Sequence, residues 1–218
     1  MSVPLKEKIN TIFKLLFEPK TISALVSQRY TGYLLDVGWF NSFKSNNALD
    51  KENNPIPWFT YPIIDFISDR LSKDLEILEF GAGNSTLFFA QRVKTVVSIE
   101  HNEKWYKKIS QLSPQNVKII LESNLHNYSK KASVLNKKFD VIIIDGEKRN
   151  SCIINSVALL SESGVIVLDD SEREEYRSGI SYLRQNNFKS IDFWGIAPGI
   201  LFKKCTTIFY KRDNYLGI

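Results

Sequence analysis

Apolar residues recur at Leu5, Ile9, Ile12, Phe13 and Leu16, with Lys6, Lys8 and Lys14 between them. Spacings of three and four residues predict a basic amphipathic helix from Leu5 to Phe17, ending near Pro19 because proline cannot continue the ladder. Such a face needs a cover. The domain itself, a partner subunit or a membrane surface would each supply one, and the pattern does not choose among them. From Tyr30 to Pro62 the periodicity lapses. Tyr30, Tyr33, Trp39, Phe40, Phe43, Trp58, Phe59 and Tyr61 stand among Gly, Asn and Pro, which predicts an irregular but ordered cap whose rings either line a pocket or anchor the loops to a core.

Beyond Pro62, short β-rich runs alternate with helical stretches: Glu76 to Phe80, Thr95 to Ile99, Val117 to Leu121, Phe139 to Ile144 and Val165 to Leu168. Val141-Ile142-Ile143-Ile144 is apolar at every position, so both faces of that strand must be covered, as βαβ crossovers cover a parallel sheet. The fold class is therefore α/β, doubly wound. Ser190 to Trp194 and Thr206 to Tyr210 flank a Gly/Pro-containing loop and are expected to pair as a terminal antiparallel hairpin. Residues 1–60 form the N-terminal helix and cap, and residues 61–218 the main domain.

Composition narrows the class. With 43% hydrophobic residues, ten Gly and seven Pro, the chain supports a packed core and is unlike a disordered one. Lys and Arg exceed Asp and Glu by 29 to 24, but they are scattered singly and in pairs, so no nucleic-acid surface is expected. Cys152 and Cys205 lack metal-binding spacing and fit structural thiols of a reducing compartment. Neither a secretory leader nor an apolar run long enough to span a bilayer is found, so a cytoplasmic protein without a transmembrane segment is expected, with peripheral membrane contact left open.

The strand Glu76 to Phe80 runs into Gly81-Ala82-Gly83-Asn84-Ser85-Thr86, after which Leu87-Phe88-Phe89-Ala90 begins a helix. The glycines permit a sharp turn and close approach by a ligand. Glu100 follows the next strand, nineteen residues beyond Gly81, where a carboxylate can accept from ribose hydroxyls, so an adenosine-type ligand is indicated. Thr86 stands where a dinucleotide site would prefer a third glycine. Glu79, two residues before Gly81, would repel a pyrophosphate but could engage a cationic amino group, directly or through water. Charge thus favours S-adenosylmethionine over NAD.

A second acidic group follows. The run Phe139 to Ile144 ends in Asp145-Gly146-Glu147, and Val165 to Leu168 ends in Asp169-Asp170. Adjacent parallel strands deliver these ends to one crevice, where four carboxylates repel one another. Protonation, cations such as Lys148, Arg149 or Arg173, or a divalent ion would relieve that repulsion. Alternatively, Asp145 contacts the cofactor while Asp169 and Asp170 cap a helix starting at Ser171-Glu172.

These motifs resemble the class I S-adenosylmethionine-dependent methyltransferases. Glu79-Phe80-Gly81-Ala82-Gly83 matches their Glu-x-Gly-x-Gly loop and Glu100 their ribose acid, over roughly Tyr61 to Arg212. The resemblance implies a Rossmann-like sheet of seven strands, the last antiparallel, with cofactor contacts from Glu79, Gly81, Ala82, Gly83, Asn84, Ser85, Glu100, His101 and Asp145. The acidic pairs are similar to those of the magnesium-dependent sugar O-methyltransferases of macrolide and aminocoumarin biosynthesis. Asp145, Asp169 and Asp170 fall on that family's metal ligands, and Glu147 stands where it has its catalytic aspartate. Metal-dependent catechol and caffeoyl-coenzyme A O-methyltransferases look more loosely related, having Asp-Asn in place of Asp169-Asp170. Pro57-Trp58-Phe59-Thr60-Tyr61-Pro62, with Asp169 to Arg173, resembles bacterial methyltransferases found among surface-polysaccharide and secondary-metabolite enzymes. What these resemblances imply is methylation of a small-molecule or glycan hydroxyl, with Glu147 and Asp145 handling the proton beside one Mg2+ ion. Methylation at nitrogen or carbon, a non-catalytic S-adenosylmethionine-binding module, and homo-oligomer formation remain open.

Overall fold

A computed structural model describes residues 4–218. The N-terminal region holds four helices, α1 (Leu5–Leu16), α2 (Pro19–Ser27), α3 (Tyr33–Asp36) and α4 (Trp39–Ser45). After α5 (Tyr61–Ser68) the chain alternates through β1 (Glu76–Phe80), α6 (Asn84–Ala90), β2 (Thr95–Glu100), α7 (Glu103–Leu112), β3 (Val117–Leu121), α8 (Leu125–Tyr128), β4 (Phe139–Ile144), α9 (Arg149–Ser156) and β5 (Leu160–Asp169). It closes with α10 (Arg177–Gln185), β6 (Lys189–Ala197) and β7 (Ile200–Tyr210).

The sheet has seven strands in the order β3-β2-β1-β4-β5-β7-β6. β1 to β5 pair in parallel, whereas β7 is antiparallel to both β5 and β6. The expected seven-stranded Rossmann-like sheet with an antiparallel last strand is what the chain forms. Strand alternation explains the core. Val141 and Ile143 of β4 join one cluster with Ile77, Val96 and the helical Phe88 and Phe89, while Ile142 and Ile144 join the opposite cluster with Leu78, Ile99 and Ile153. Burial on both faces accounts for the unbroken apolar run.

Much of the cap belongs to the first of these clusters. Trp39, Ala48, Ile56 and Phe59 are buried in it, and Trp39 Nε1 donates to the Ile200 carbonyl at 3.1 Å. Trp58 Nε1 likewise donates to the Pro198 carbonyl at 2.7 Å. Its aromatic residues therefore anchor loops to the end of the β6–β7 hairpin. α1 and α2 differ, since neither contains a buried residue, so the domain does not cover the amphipathic face.

Several boundaries depart from the sequence pattern. β5 and β7 begin earlier than their apolar runs, at Leu160 and Ile200, because pairing with β4 and β6 continues past the fully buried segment. No helix starts at Ser171, so Asp169 and Asp170 cap none. Asp170 adopts a left-handed φ of 52°, the Ser171 amide donates to the Cys205 carbonyl, and Glu172 accepts from the Cys205 amide at 2.9 Å. Those bonds hold the chain against β7, and helix α10 is delayed to Arg177.

Candidate active site

The C-terminal ends of β1, β2 and β4 meet at one edge of the sheet. Gly81 has φ 98°, and a Cβ there would lie 3.1 Å from the Gly146 amide nitrogen. At Gly146 a Cβ would come within 2.2 Å of the Tyr128 hydroxyl. The two loops approach so closely that neither position admits a side chain. Tyr128, fully buried, donates to the Ile99 carbonyl at 3.0 Å and so ties β2 to this contact.

A cavity of about 600 Å³ opens above the loops, lined by Gly81, Ala82, Gly83, Asn84, Ser85, Glu100, His101 and Asp145. These are the expected cofactor residues except Glu79. Asn102, Lys104, Trp105 and Lys108 around α7, Gly146, and Asn47, Ala48 and Trp58 of the cap complete the wall. Sequence reasoning missed these because they lie outside the loop motif. The aromatic cap offered a signal for Trp58, which here both anchors a loop and lines the pocket.

Glu79 lies beneath the loop, wholly buried. Its carboxylate accepts from the hydroxyls of Ser85 and Thr86 and, at 2.8 Å, from Ser98. Burial pushes this carboxyl up to about 7, against the lowering influence of those three donors. Thr86 Oγ1 in turn accepts from the Gly83 amide at 2.9 Å. Glu79 is thus not a wall residue for a methionine amino group. It braces the turn from below, and the threonine that replaces a third glycine is part of the brace.

Glu100 is buried at the end of β2 and accepts from the Ala82 amide at 2.9 Å and the Asn102 amide at 2.7 Å. A carboxylate has about four acceptor positions, so capacity remains for ribose hydroxyls. His101 Nδ1 lies 3.3 Å from Glu100 Oε1 but is not aligned as a hydrogen bond, and it is buried without a partner. A Cβ on Gly83 would sit in ordinary contact with Trp105 Nε1 at 3.7 Å and Ser85 Oγ at 3.8 Å, so any larger side chain there would enter the cavity wall. Spare acceptors and an orphaned polar atom beside a glycine turn fit an adenosine-bearing cofactor.

The second acidic cluster does assemble, but around cations. Arg149 Nη2 lies 2.9 Å from Asp145, while Arg173 lies 2.7 Å from Asp170. Lys204, itself buried, lies 2.7 Å from Asp169 and 2.8 Å from Asp170. Thr206 also donates to Asp169, at 2.6 Å. Burial alone would depress the Lys204 ammonium, but Asp169 and Asp170 hold it above its ordinary value. Burial raises Asp169 despite Lys204, whereas Asp170 is held below the usual range by Lys204, Arg149 and Arg173. Asp145 is pushed up to about 8, first by burial and then by the Asp169 charge.

This geometry gives no support to the expectation that Asp145, Asp169 and Asp170 share Mg2+. Ammonium and guanidinium groups already occupy the carboxylates' inner sides, and among the described residues no group of three or more His, Cys, Asp or Glu is placed to hold a metal ion. The residues present do not fit the ion. Arg149 and Arg173 were legible as compensating cations. Lys204 was not, because Lys203-Lys204 looks like surface charge, although strand alternation sends the two side chains to opposite faces. Glu147 stands apart from this network. It is exposed and lines a second cavity of about 620 Å³ with Lys148, Asn150, Ser151, Arg173, Glu175 and Tyr176. His101, Asp145 and Gly146 line both cavities.

Residues 78–171 match a family described as a methyltransferase domain. That segment is similar to methyltransferase domains, and the sheet that contains it has the Rossmann-like methyltransferase fold. No curated protein matches the sequence, but solved structures share the fold. A Staphylococcus aureus protein described as a candidate caffeoyl-CoA O-methyltransferase is 18% identical, with TM-score 0.57, covering 88% of this chain and 99% of that one. An rRNA methylase from Streptococcus thermophilus is 17% identical, with TM-score 0.51, covering 69% and 96%. A candidate methyltransferase from Streptococcus mutans, solved with SAH, is 18% identical, with TM-score 0.51, covering 69% and 97%. Among the described residues no helix is long and apolar enough to cross a membrane.

Proposed function

We propose that the chain is an S-adenosylmethionine-dependent methyltransferase that O-methylates a hydroxyl of a small molecule or glycan, with the acceptor in the second cavity and S-adenosylmethionine in the first. The observation that carries the reading is their junction. The two cavities share His101, Asp145 and Gly146, so an acceptor atom in one faces a methyl donor in the other across a carboxylate. Charged and hydrogen-bonding side chains dominate the second cavity, as suits a hydroxyl-rich molecule.

Bound S-adenosylmethionine supplies an electrophilic methyl group on a sulfonium. The loop from Gly81 to Ser85, with Glu100 and His101, holds the adenosine and methionine parts, while Glu79 keeps that loop in shape. Asp145, raised toward neutral pH by burial and by Asp169, orients the acceptor hydroxyl. Glu147, free of the Lys204 network, accepts its proton. Arg149 fixes Asp145 through a 2.9 Å contact, and its orientation matters because alignment supplies much of the rate in a displacement reaction. Buried free thiols at Cys152 and Cys205 support a reducing, cytoplasmic setting.

A turnover assay with S-adenosylmethionine and a panel of polyols, sugars, phenols and amines tests the reading through release of S-adenosylhomocysteine. Turnover confined to hydroxyl acceptors is expected. Turnover with amines alone would move the chemistry to nitrogen, and cofactor binding without turnover on any acceptor would support a non-catalytic module.

A further inference from the structure

The face that the fold leaves uncovered is on α1. At about 100° per residue, Ile12, Leu5, Leu16, Ile9 and Phe13 fall within an arc of about 100°, and each is at least 45% exposed. Lys8 borders the arc on one side and Lys6 on the other, while Glu7, the helix's single acidic residue, lies opposite. Leu15 is the helix's one half-buried residue. α2 adds exposed Leu25 and Val26 and carries Lys20 but no acid.

We propose that α1 docks in the interfacial plane of an anionic lipid bilayer. An apolar arc bordered by lysines suits that environment, because the stems of Lys6 and Lys8 run along acyl chains while their ammonium groups reach headgroup phosphates. Charge favours this occupant further. From residue 4 to 30 the basic residues are Lys6, Lys8, Lys14, Lys20 and Arg29, and the acidic ones are Glu7 and Glu18, an excess that an anionic surface attracts. A second copy of the helix fits less well. The arc has lysine at both borders and no acid beside them, so self-pairing brings lysine toward lysine without a partner charge. Docking would hold the catalytic domain at the membrane without inserting any part of the sheet.

Co-sedimentation of the full chain with vesicles tests this, using phosphatidylcholine alone and phosphatidylcholine mixed with phosphatidylglycerol. Binding is expected only with the anionic vesicles and should weaken as salt rises. Combining Lys6→Gln with Lys8→Gln should reduce partitioning roughly thirtyfold at low salt, at about a tenfold loss per 1.4 kcal/mol and about 1 kcal/mol per lysine. Ile12→Asp with Phe13→Asp should abolish it. Because α1 buries nothing, both double variants should keep the wild-type melting temperature and S-adenosylhomocysteine affinity. Absence of vesicle binding, or binding indifferent to lipid charge, would overturn the proposal. So would a concentration-dependent dimer in sedimentation velocity that Ile12→Asp with Phe13→Asp dissolves, since that assigns the face to a second copy.

Discussion

Replacing Lys204 by methionine keeps an unbranched side chain one atom shorter and removes its charge, leaving Asp169 and Asp170 without the cation 2.7 and 2.8 Å away. Breaking a buried ion pair by deleting one partner costs about 3–5 kcal/mol, because the other charge stays behind. For a chain of this size that corresponds to a fall in melting temperature of about 6–20 °C. The loss should depend on pH. Burial raises Asp169 even with Lys204 in place, and without the ammonium Asp169 rises further, while Asp170 keeps Arg149 and Arg173 and rises from a lowered position. Between the ordinary carboxylate range, near 4, and the raised value of Asp169, the folded variant binds a proton that the unfolded chain has released, so its stability falls as pH increases. The deficit should therefore be larger at pH 8 than at pH 5. Urea unfolding of both proteins at the two pH values measures it. A deficit under about 1 kcal/mol at pH 8, or an equal one at pH 5, would show that Lys204 does not hold the cluster. Wild-type melting should also be unmoved by millimolar Mg2+ or EDTA, and a metal-dependent shift would return the aspartates to ligand duty.

Gly83→Val should leave folding intact, since a Cβ there meets nothing closer than 3.7 Å, yet weaken S-adenosylhomocysteine binding at least about tenfold by filling the cofactor's space; titration calorimetry checks it. Gly146→Ala should instead lower the melting temperature, because its Cβ would sit 2.2 Å from the buried Tyr128 hydroxyl, with a cost of about 1–3 kcal/mol for overpacking. Once an acceptor is in hand, Glu147→Gln should lower kcat about a hundredfold or more with little change in cofactor affinity, whereas unchanged turnover would remove Glu147 as the base.

The sheet was legible because its signal is local. β1, β3 and β4 have the limits their β-rich runs predict, and the acidic residues at the ends of β2, β4 and β5 mark the crevice by position alone. What escaped depends on contacts between distant segments. Lys204 meets Asp169 across 35 residues of sequence, and nothing near Lys204 indicates that it is buried. Tyr128 ends a four-residue helix with little periodicity, yet it explains why glycine follows Asp145. Glu79 shows the opposite problem. Its place in the motif was clear, but whether it faced the ligand or the core depended on the pleat of β1, where the alternate side chain is sealed under the turn.

The central claim is that the cavity over Gly81 to Ser85 takes S-adenosylmethionine through Glu100, and titration calorimetry with S-adenosylhomocysteine tests it most directly. Saturable one-to-one binding is expected for the wild type. Glu100→Ala should weaken it about tenfold to a hundredfold, as loss of a hydrogen bond to a charged acceptor costs about 1.5–3 kcal/mol, and NADH should give no binding heat. Absence of S-adenosylhomocysteine binding to the folded wild type, or equal affinity in a folded Glu100→Ala, would contradict the account.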